Sequence, residues 1–504
     1  MSDDRAAAQV NSEGDVVKQV HPESDFLLEE VVYVSGTEKR LTLKHDSLVL
    51  GSQDSDASAK KNKDLCLTWR DVIRAVKDAK SKSGRQLDSF TLHYINHQGN
   101  YTLEVKCLQV TAREGEADKW ISAINEKCKT VNGRPKKVFV IINPIGGSKT
   151  ALKTYHKKVA PVFELAGIHT TVQVTERSKH AVELSENLDL SAYDAIVVVG
   201  GDGFYQEVLL GVTLRLQKDA EIDYNNPEAV FMKPKIPFGI IPAGTGNGMA
   251  RYCNGTVDEV TTALNIVRGE NHKAQVLTVH SCGKFVSLCG SFFGYGEFSD
   301  LMKRSDELRW MGRLRYPYSL IGMLFKKPRM FNCNIEYRKV DNDETQNLSH
   351  NSSEAGAQRS EWIAYTGNSG NICGILCSTC EHGINDRILN PFGSSIDLLI
   401  DFGTGRVNLL KTMYVFTAAK NASEPLSQKL DFISRITGFR IRLNSDVTDD
   451  ENLSAERVRD RELECLLDID GEVVQVNKPD IDVRLRSEFV SLYGLKISGN
   501  SKNT

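Results

Sequence analysis

The 504-residue sequence contains no run of about 18 apolar residues, so no transmembrane helix is expected. Its first residues, Met1-Ser2-Asp3-Asp4-Arg5, lack the apolar core of a signal peptide, which points to a cytoplasmic protein. Net charge is only −3, so no global field draws the chain to nucleic acid or to an anionic membrane. There is no internal repeat. Neither Gly-x-x-x-x-Gly-Lys-Ser/Thr nor Gly-x-Gly-x-x-Gly occurs at the glycine-rich turns, which removes the Walker-type phosphate loop and weakens dinucleotide binding. Eleven cysteines without a secretory signal read as reduced thiols.

The chain is too long for one core, so two or three domains are expected. Hydrophobic content of 40% and charged content of 26% are ordinary for a globular protein. Residues 1–24 are polar and read as a disordered tail. Between residues 25 and 130, alternating segments predict half-buried antiparallel strands, among them Val31–Val34, Leu41–Leu43, Leu48–Leu50, Phe90–Tyr94 and Tyr101–Val105. Glu116–Asn125 reads as one amphipathic helix with Trp120, Ile121 and Ile124 on a face. Strands closed by a single Trp-bearing helix resemble a pleckstrin-homology domain. The basic run Lys60-Lys61-Asn62-Lys63 reads as a solvated loop, with an acidic headgroup as its alternative ligand.

After the linker Val131–Pro135, strands alternate with helices, which predicts βαβ units and a parallel sheet over residues 136–274. Lys137–Ile142 and Ile196–Val199 are buried-type strands, and Pro161 is placed to kink the helix Ala151–Leu165. Three strand ends carry glycine-rich turns: Asn143-Pro144-Ile145-Gly146-Gly147, Gly200-Gly201-Asp202-Gly203 and Pro242-Ala243-Gly244-Thr245-Gly246-Asn247. Glycines at such ends let backbone N–H groups approach an anion, and ligands bind outside the carboxyl ends of parallel strands. An acid inside such a turn suits a general base rather than a phosphate ligand, with a helix-capping Asp as the bland alternative. The helix is expected to open at Phe204. From residue 275 to 495 the chain reads as β-rich, broken by polar insertions at Asp341–Ser360 and Asn444–Arg461.

These three motifs, in this order, resemble the diacylglycerol kinase catalytic family, which includes the sphingosine and ceramide kinases. The resemblance covers roughly residues 136–495 and implies an α/β protein: a parallel-sheet nucleotide part followed by a β-sandwich lipid part. It implies ATP and Mg²⁺ used to phosphorylate a lipid hydroxyl, with no protein ligand assigned to the metal. By that similarity Asp202 is the general base, and Gly200, Gly201 and Gly203 border the acceptor hydroxyl. Asn143, Pro144 and Ile145 border the nucleotide, and Thr175, Glu176, Arg177, Ser178 and Lys179 form its adenosine side. Gly244, Thr245 and Gly246 line the phosphates, supported by Glu207. Arg309 and Arg315 match two phosphate arginines, and Asp470-Gly471-Glu472 matches a turn that returns to the nucleotide.

Several features resemble the ceramide kinase branch: the pleckstrin-like start, the segment Lys158–Pro161, and the cluster Cys373, Cys377 and Cys380 with His382 close by. That cluster could bind zinc, but Cys-x3-Cys-x2-Cys is not a pair of Cys-x2-Cys units, which favours reduced thiols. The loop Pro242–Gly248 is closer to the sphingosine kinase version. Sphingosine kinases carry Asp-x-Asp before the phosphate arginines, whereas this chain has Asp300-Leu301-Met302, leaving Asp300 as a headgroup ligand and no partner for an ammonium. The resemblance thus implies a sphingolipid substrate, ceramide, met at a membrane surface by a peripherally associated protein. A sphingosine kinase and an inactive lipid-binding adaptor are the alternatives.

Overall fold

The computed structural model describes residues 26–52, 64–78, 88–99, 101–147, 149–324, 329–340, 361–367, 372–378, 395–402, 430–443 and 462–495. The tail 1–24, the basic run Lys60–Lys63, both polar insertions, Cys380 and His382 lie outside these residues. The chain forms two compact units.

The first unit holds residues up to Tyr94 together with Val105–Thr130. Its strands are β1 (Phe26–Val34), β2 (Thr37–Lys44), β3 (Ser47–Ser52), β4 (Leu65–Thr68), β5 (Val72–Lys77), β6 (Ser89–Gln98) and β7 (Thr102–Thr111), joined in the order β4-β3-β2-β1-β7-β6-β5. Strands β4 and β5 are short and were not legible as alternating segments. Helix α1 (Ala117–Lys129) buries Ala117, Trp120, Ile124 and Cys128, a 3–4 spacing that leaves Ile121 only half-buried. Trp120 Nε1 donates to Glu30 at 2.6 Å, and the Asn125 carboxamide pairs with both backbone groups of Ala75. These bonds fix the helix where apolar packing alone would let it slide.

The second unit contains Val131–Thr504 and residues 95–104. Its parallel part comprises β8 (Lys137–Ile142), β9 (His169–Val174), β10 (Ala195–Gly200) and β11 (Phe238–Pro242). Every residue of β10 is buried, as expected for a central parallel strand. Helices α2 (Ala151–Thr154) and α3 (Ala160–Leu165) are separated by a π turn over Tyr155–Val159, just before Pro161. Proline cannot donate the helical bond at its own position, and the wide turn absorbs the break. Helix α4 (His180–Glu186) starts only after Lys179, whose φ of +59° is left-handed. Helix α5 (Asp202–Asp219) starts two residues earlier than expected, so Asp202 lies in its first turn rather than in the loop.

Beyond α6 (Gly248–Asn254) and α7 (Glu259–Arg268), the strands turn antiparallel: β12 (Asn271–Ser281), β13 (Lys284–Cys289) and β14 (Phe292–Gly296). Helices α8 (Glu297–Glu307) and α9 (Arg315–Leu324) follow, then β15 (Cys333–Lys339), β16 (Ile363–Ala364), β17 (Gly374–Ser378), β18 (Ile396–Asp401), β19 (Leu430–Leu443), β20 (Leu466–Ile469), β21 (Glu472–Gln475) and β22 (Asp480–Tyr493). The boundary expected at 274/275 falls inside β12. The last strand explains why: β22 pairs with β12 and β19 and touches β11 at Leu492–Phe238. Hydrogen bonding therefore joins the parallel and antiparallel parts into one branched sheet. Two apolar cores serve it, one around Ile196, Val208 and Phe489, the other around Phe293, Ile375 and Phe439.

Candidate active site

Strands β8, β10 and β11 are neighbours in parallel register, with Val199 beside Ile142 and Gly200 beside Pro242. Their three glycine turns therefore leave from one edge. A Cβ on Gly147, whose φ is +54°, would lie 2.7 Å from the Ala243 carbonyl oxygen and 2.8 Å from Gly244 Cα. A Cβ on Gly244 would overlap Gly201 Cα. The turns thus touch backbone to backbone, which only glycine permits. Asn143 Oδ1 accepts from the N–H groups of Ile145 at 3.1 Å and Gly146 at 3.0 Å. Asn247, at φ +57°, uses its carboxamide to bond both backbone groups of Gly244. Pro144 and Thr245 are half-buried, while Ile145 and Gly246 face outward.

Asp202 bridges two of these turns. Its carboxylate oxygens accept from the N–H groups of Gly248 and Met249, each at 2.9 Å, at the start of α6. Each oxygen keeps a further lone pair for a ligand proton. On α5, Gly203 and Glu207, one turn apart, share a face turned to Glu472. A Cβ on Gly203 would lie 2.8 Å from Glu472 Oε1. Burial, and then the Glu472 charge, push the Glu207 carboxyl up to about 7, against the pull of Lys179.

Glu472 follows a tight hairpin in which Asp470 and Gly471 both have positive φ. Asp470 does not reach outward. Its carboxylate accepts from the N–H groups of Gly290 (2.7 Å), Ser291 (2.6 Å) and Phe292 (3.0 Å) and from the Ser291 hydroxyl (2.8 Å). Burial raises its proton affinity and these donors oppose the rise. Asp470 is thus a structural clamp that holds the hairpin against the β13–β14 connection. Asp468, missed from the sequence, is buried, which pushes its carboxyl well above the usual carboxylate range, and it accepts from the Gly471 N–H at 3.0 Å. The alternation Asp468-x-Asp470-x-Glu472 was its only signal.

Helix α8 separates its two expected lipid-facing residues. Met302 is buried, its Cε 3.5 Å from where a Gly471 Cβ would sit. Asp300, about 200° away on the helix, is held bidentately by Arg329 at 3.1 and 2.9 Å. Its carboxylate is committed to that guanidinium, which also donates to the Leu463 carbonyl. Burial, and then Asp401 and Asp300, push the neighbouring Glu297 carboxyl up to about 8. Arg315 lies 3.7 Å from Asp306. The Arg309 side chain lies outside the described residues.

On the adenosine side, Thr175 is buried and its hydroxyl donates to the Ile142 carbonyl. Glu176 donates its N–H to His180, and Arg177 pairs with Glu183 at the surface beside exposed Ser178. Of this segment, Lys179 is the residue that electrostatically reaches the Glu207 carboxylate. Cys373 and Cys377 are buried, and burial raises the Cys377 thiol. Among the described residues, no three His, Cys, Asp or Glu side chains are grouped to hold a metal.

Residues 137–279 match the diacylglycerol kinase catalytic domain, and the chain is a lipid kinase. Within that class it is ceramide kinase-like. It is 28% identical to human ceramide kinase over 459 residues, covering 82% of this chain and 84% of that one. It is 37% identical to mouse ceramide kinase over 234 residues, covering 46% and 44%. It is also 35% identical to Arabidopsis thaliana sphingosine kinase 1 over 193 residues, covering 36% of each.

Proposed function

We propose that this chain transfers the γ-phosphoryl group of ATP to the primary hydroxyl of ceramide, giving ceramide 1-phosphate and ADP. The acceptor hydroxyl meets the γ-phosphorus at Gly200, Gly201 and Gly203, and Asp202 takes its proton as the oxygen attacks. The turns at Asn143–Ile145 and Gly244–Gly246 present N–H groups to the phosphates, and Arg309 and Arg315 neutralise charge that grows on them. Phosphoryl transfer asks mainly for such positioning and neutralisation.

Mg²⁺ fits beside this site. Glu207 and Glu472 are two facing carboxylates with unfavourable mutual charge, and Mg²⁺ typically takes one or two carboxylates plus phosphate oxygens. Bound there, it would neutralise the phosphates. Asp470 and Asp468 orient Glu472 from behind.

The observation that carries the acceptor is Met302. It is buried against the hairpin that bears Glu472, on the α8 face that would meet the headgroup, while Asp300 is already paired with Arg329. An ammonium there would lack a counter-charge, whereas the neutral amide of ceramide needs none. The similarity to a plant sphingosine kinase favours a second reading, a long-chain-base kinase. The test is Met302→Asp: the rate on sphingosine relative to ceramide should rise, and an unchanged ratio would overturn the assignment of this face to the headgroup.

The lipid is reached at a membrane surface. No described helix is long and apolar enough to cross a membrane. Trp310, Leu314, Tyr318 and Ile321 are all exposed around α9, with Trp310 81% accessible, and Trp and Tyr suit the headgroup boundary. The N-terminal unit, a seven-stranded sheet with a closing helix, serves as a pleckstrin-homology-like docking module.

A further inference from the structure

We propose that Gln206 is a substrate-binding residue that reads the amide linkage of an N-acyl sphingoid lipid; this rests on the ceramide reading above. Gln206 lies one turn after Asp202 on α5, about 6 Å along the axis. It stacks on Gly203, three residues earlier on the helix, and is turned away from Glu207 toward the β13–β14 connection. Its Oε1 lies 2.9 Å from where a Cβ of Gly290 would sit, beside the connection clamped by Asp470.

Gln206 is more than nine-tenths buried, yet neither Oε1 nor Nε2 has a hydrogen-bond partner among the described residues. Such carboxamides are costly, and native interiors normally satisfy them. The same helix supplies a contrast. Gln217, also buried, donates to the Thr213 and Met232 carbonyls and accepts from the Met232 N–H. Gln217 is a finished structural residue, while Gln206 keeps both N–H donors of Nε2 and its Oε1 acceptor unpaired one turn from the proposed base.

A sphingoid lipid carries its nitrogen on the carbon next to the reacting one, so a hydroxyl at Asp202 brings that nitrogen within reach of the next helical turn. In an N-acyl lipid, Oε1 accepts from the amide N–H, and Nε2 donates to the neighbouring secondary hydroxyl or the acyl carbonyl. A diacylglycerol has an ester there and no N–H, so it leaves Oε1 unsatisfied. A free ammonium satisfies Oε1 but finds no counter-charge on a neutral side chain.

The test is phosphorylation of ceramide, sphingosine and diacylglycerol in detergent micelles by the full-length wild type, Gln206→Met and Gln206→Glu. Gln206→Met, similar in size and without hydrogen-bonding groups, should lower the ceramide-to-diacylglycerol ratio of kcat/KM about tenfold. Gln206→Glu should raise the sphingosine-to-ceramide ratio by supplying charge, and it remains informative if the methionine variant fails to fold. Ceramide preference in the wild type with both ratios unchanged would overturn the role of Gln206 alone and mark it as a residue satisfied by buried water. A wild type that ignores ceramide would overturn the substrate reading, and this inference with it.

Discussion

Replacing Asp202 by Asn separates its two proposed roles. The carboxylate accepts two backbone N–H bonds at the start of α6, and the amide can accept only one while pointing an NH₂ at the other N–H. Losing one charge-assisted bond costs about 1.5–3 kcal/mol, so the melting temperature should drop measurably. Chemistry should suffer more. A general base contributes about 10²–10⁴-fold, or about 3–5 kcal/mol of barrier. The assay is steady-state turnover with ceramide beside calorimetric ATP binding to the same preparation. The glycine turns also touch one another directly, Gly147 on Gly244 and Gly244 on Gly201, and those contacts survive the change, so ATP affinity should stay within about threefold. A folded variant that turns over within a few-fold of wild type would refute the base assignment. Loss of ATP binding in step with turnover would instead reduce Asp202 to a strut for α6.

Glu297→Gln tests the buried acid. Its carboxyl is raised from 4.5 to about 8, so folding takes up a proton between those values and wild-type stability should fall as pH rises from about 5 to 8. At about 1.4 kcal/mol per pH unit the upper bound is about 5 kcal/mol, and Gln should remove that share of the slope in chemical denaturation, leaving the share of Glu207; an unchanged slope would refute it. Paired Leu314→Ser and Tyr318→Ser changes should weaken binding to phospholipid vesicles while leaving turnover in detergent micelles alone. Equal loss in both assays would assign the stripe to folding.

What the sequence made legible was what short range decides. A central parallel strand must be apolar on both faces, so Ile196–Val199 stood out, and glycines mark the ends where backbones touch. The Trp120 helix was legible by its spacing. The rest depended on partners far along the chain. Asp470 reads as a hairpin residue until Gly290, 180 residues earlier, supplies its donors. Asp300 reads as an open acid until Arg329 closes on it. Residue 274 lies inside β12, with which β22 pairs on its return from the C-terminal end before it meets β11. Gln206 carries no motif at all; its open carboxamide is visible only once Gly290 and the Asp470 clamp are packed beside it.

The most direct measurement of the central claim is the ratio of kcat/KM for ceramide and sphingosine, taken with purified full-length protein, ATP and Mg²⁺ in one micelle system. Neither Met302 nor the neutral Gln206 offers a counter-charge to an ammonium, so ceramide should be favoured by about tenfold. Faster phosphorylation of sphingosine than of ceramide would contradict that claim and assign the chain to the long-chain bases.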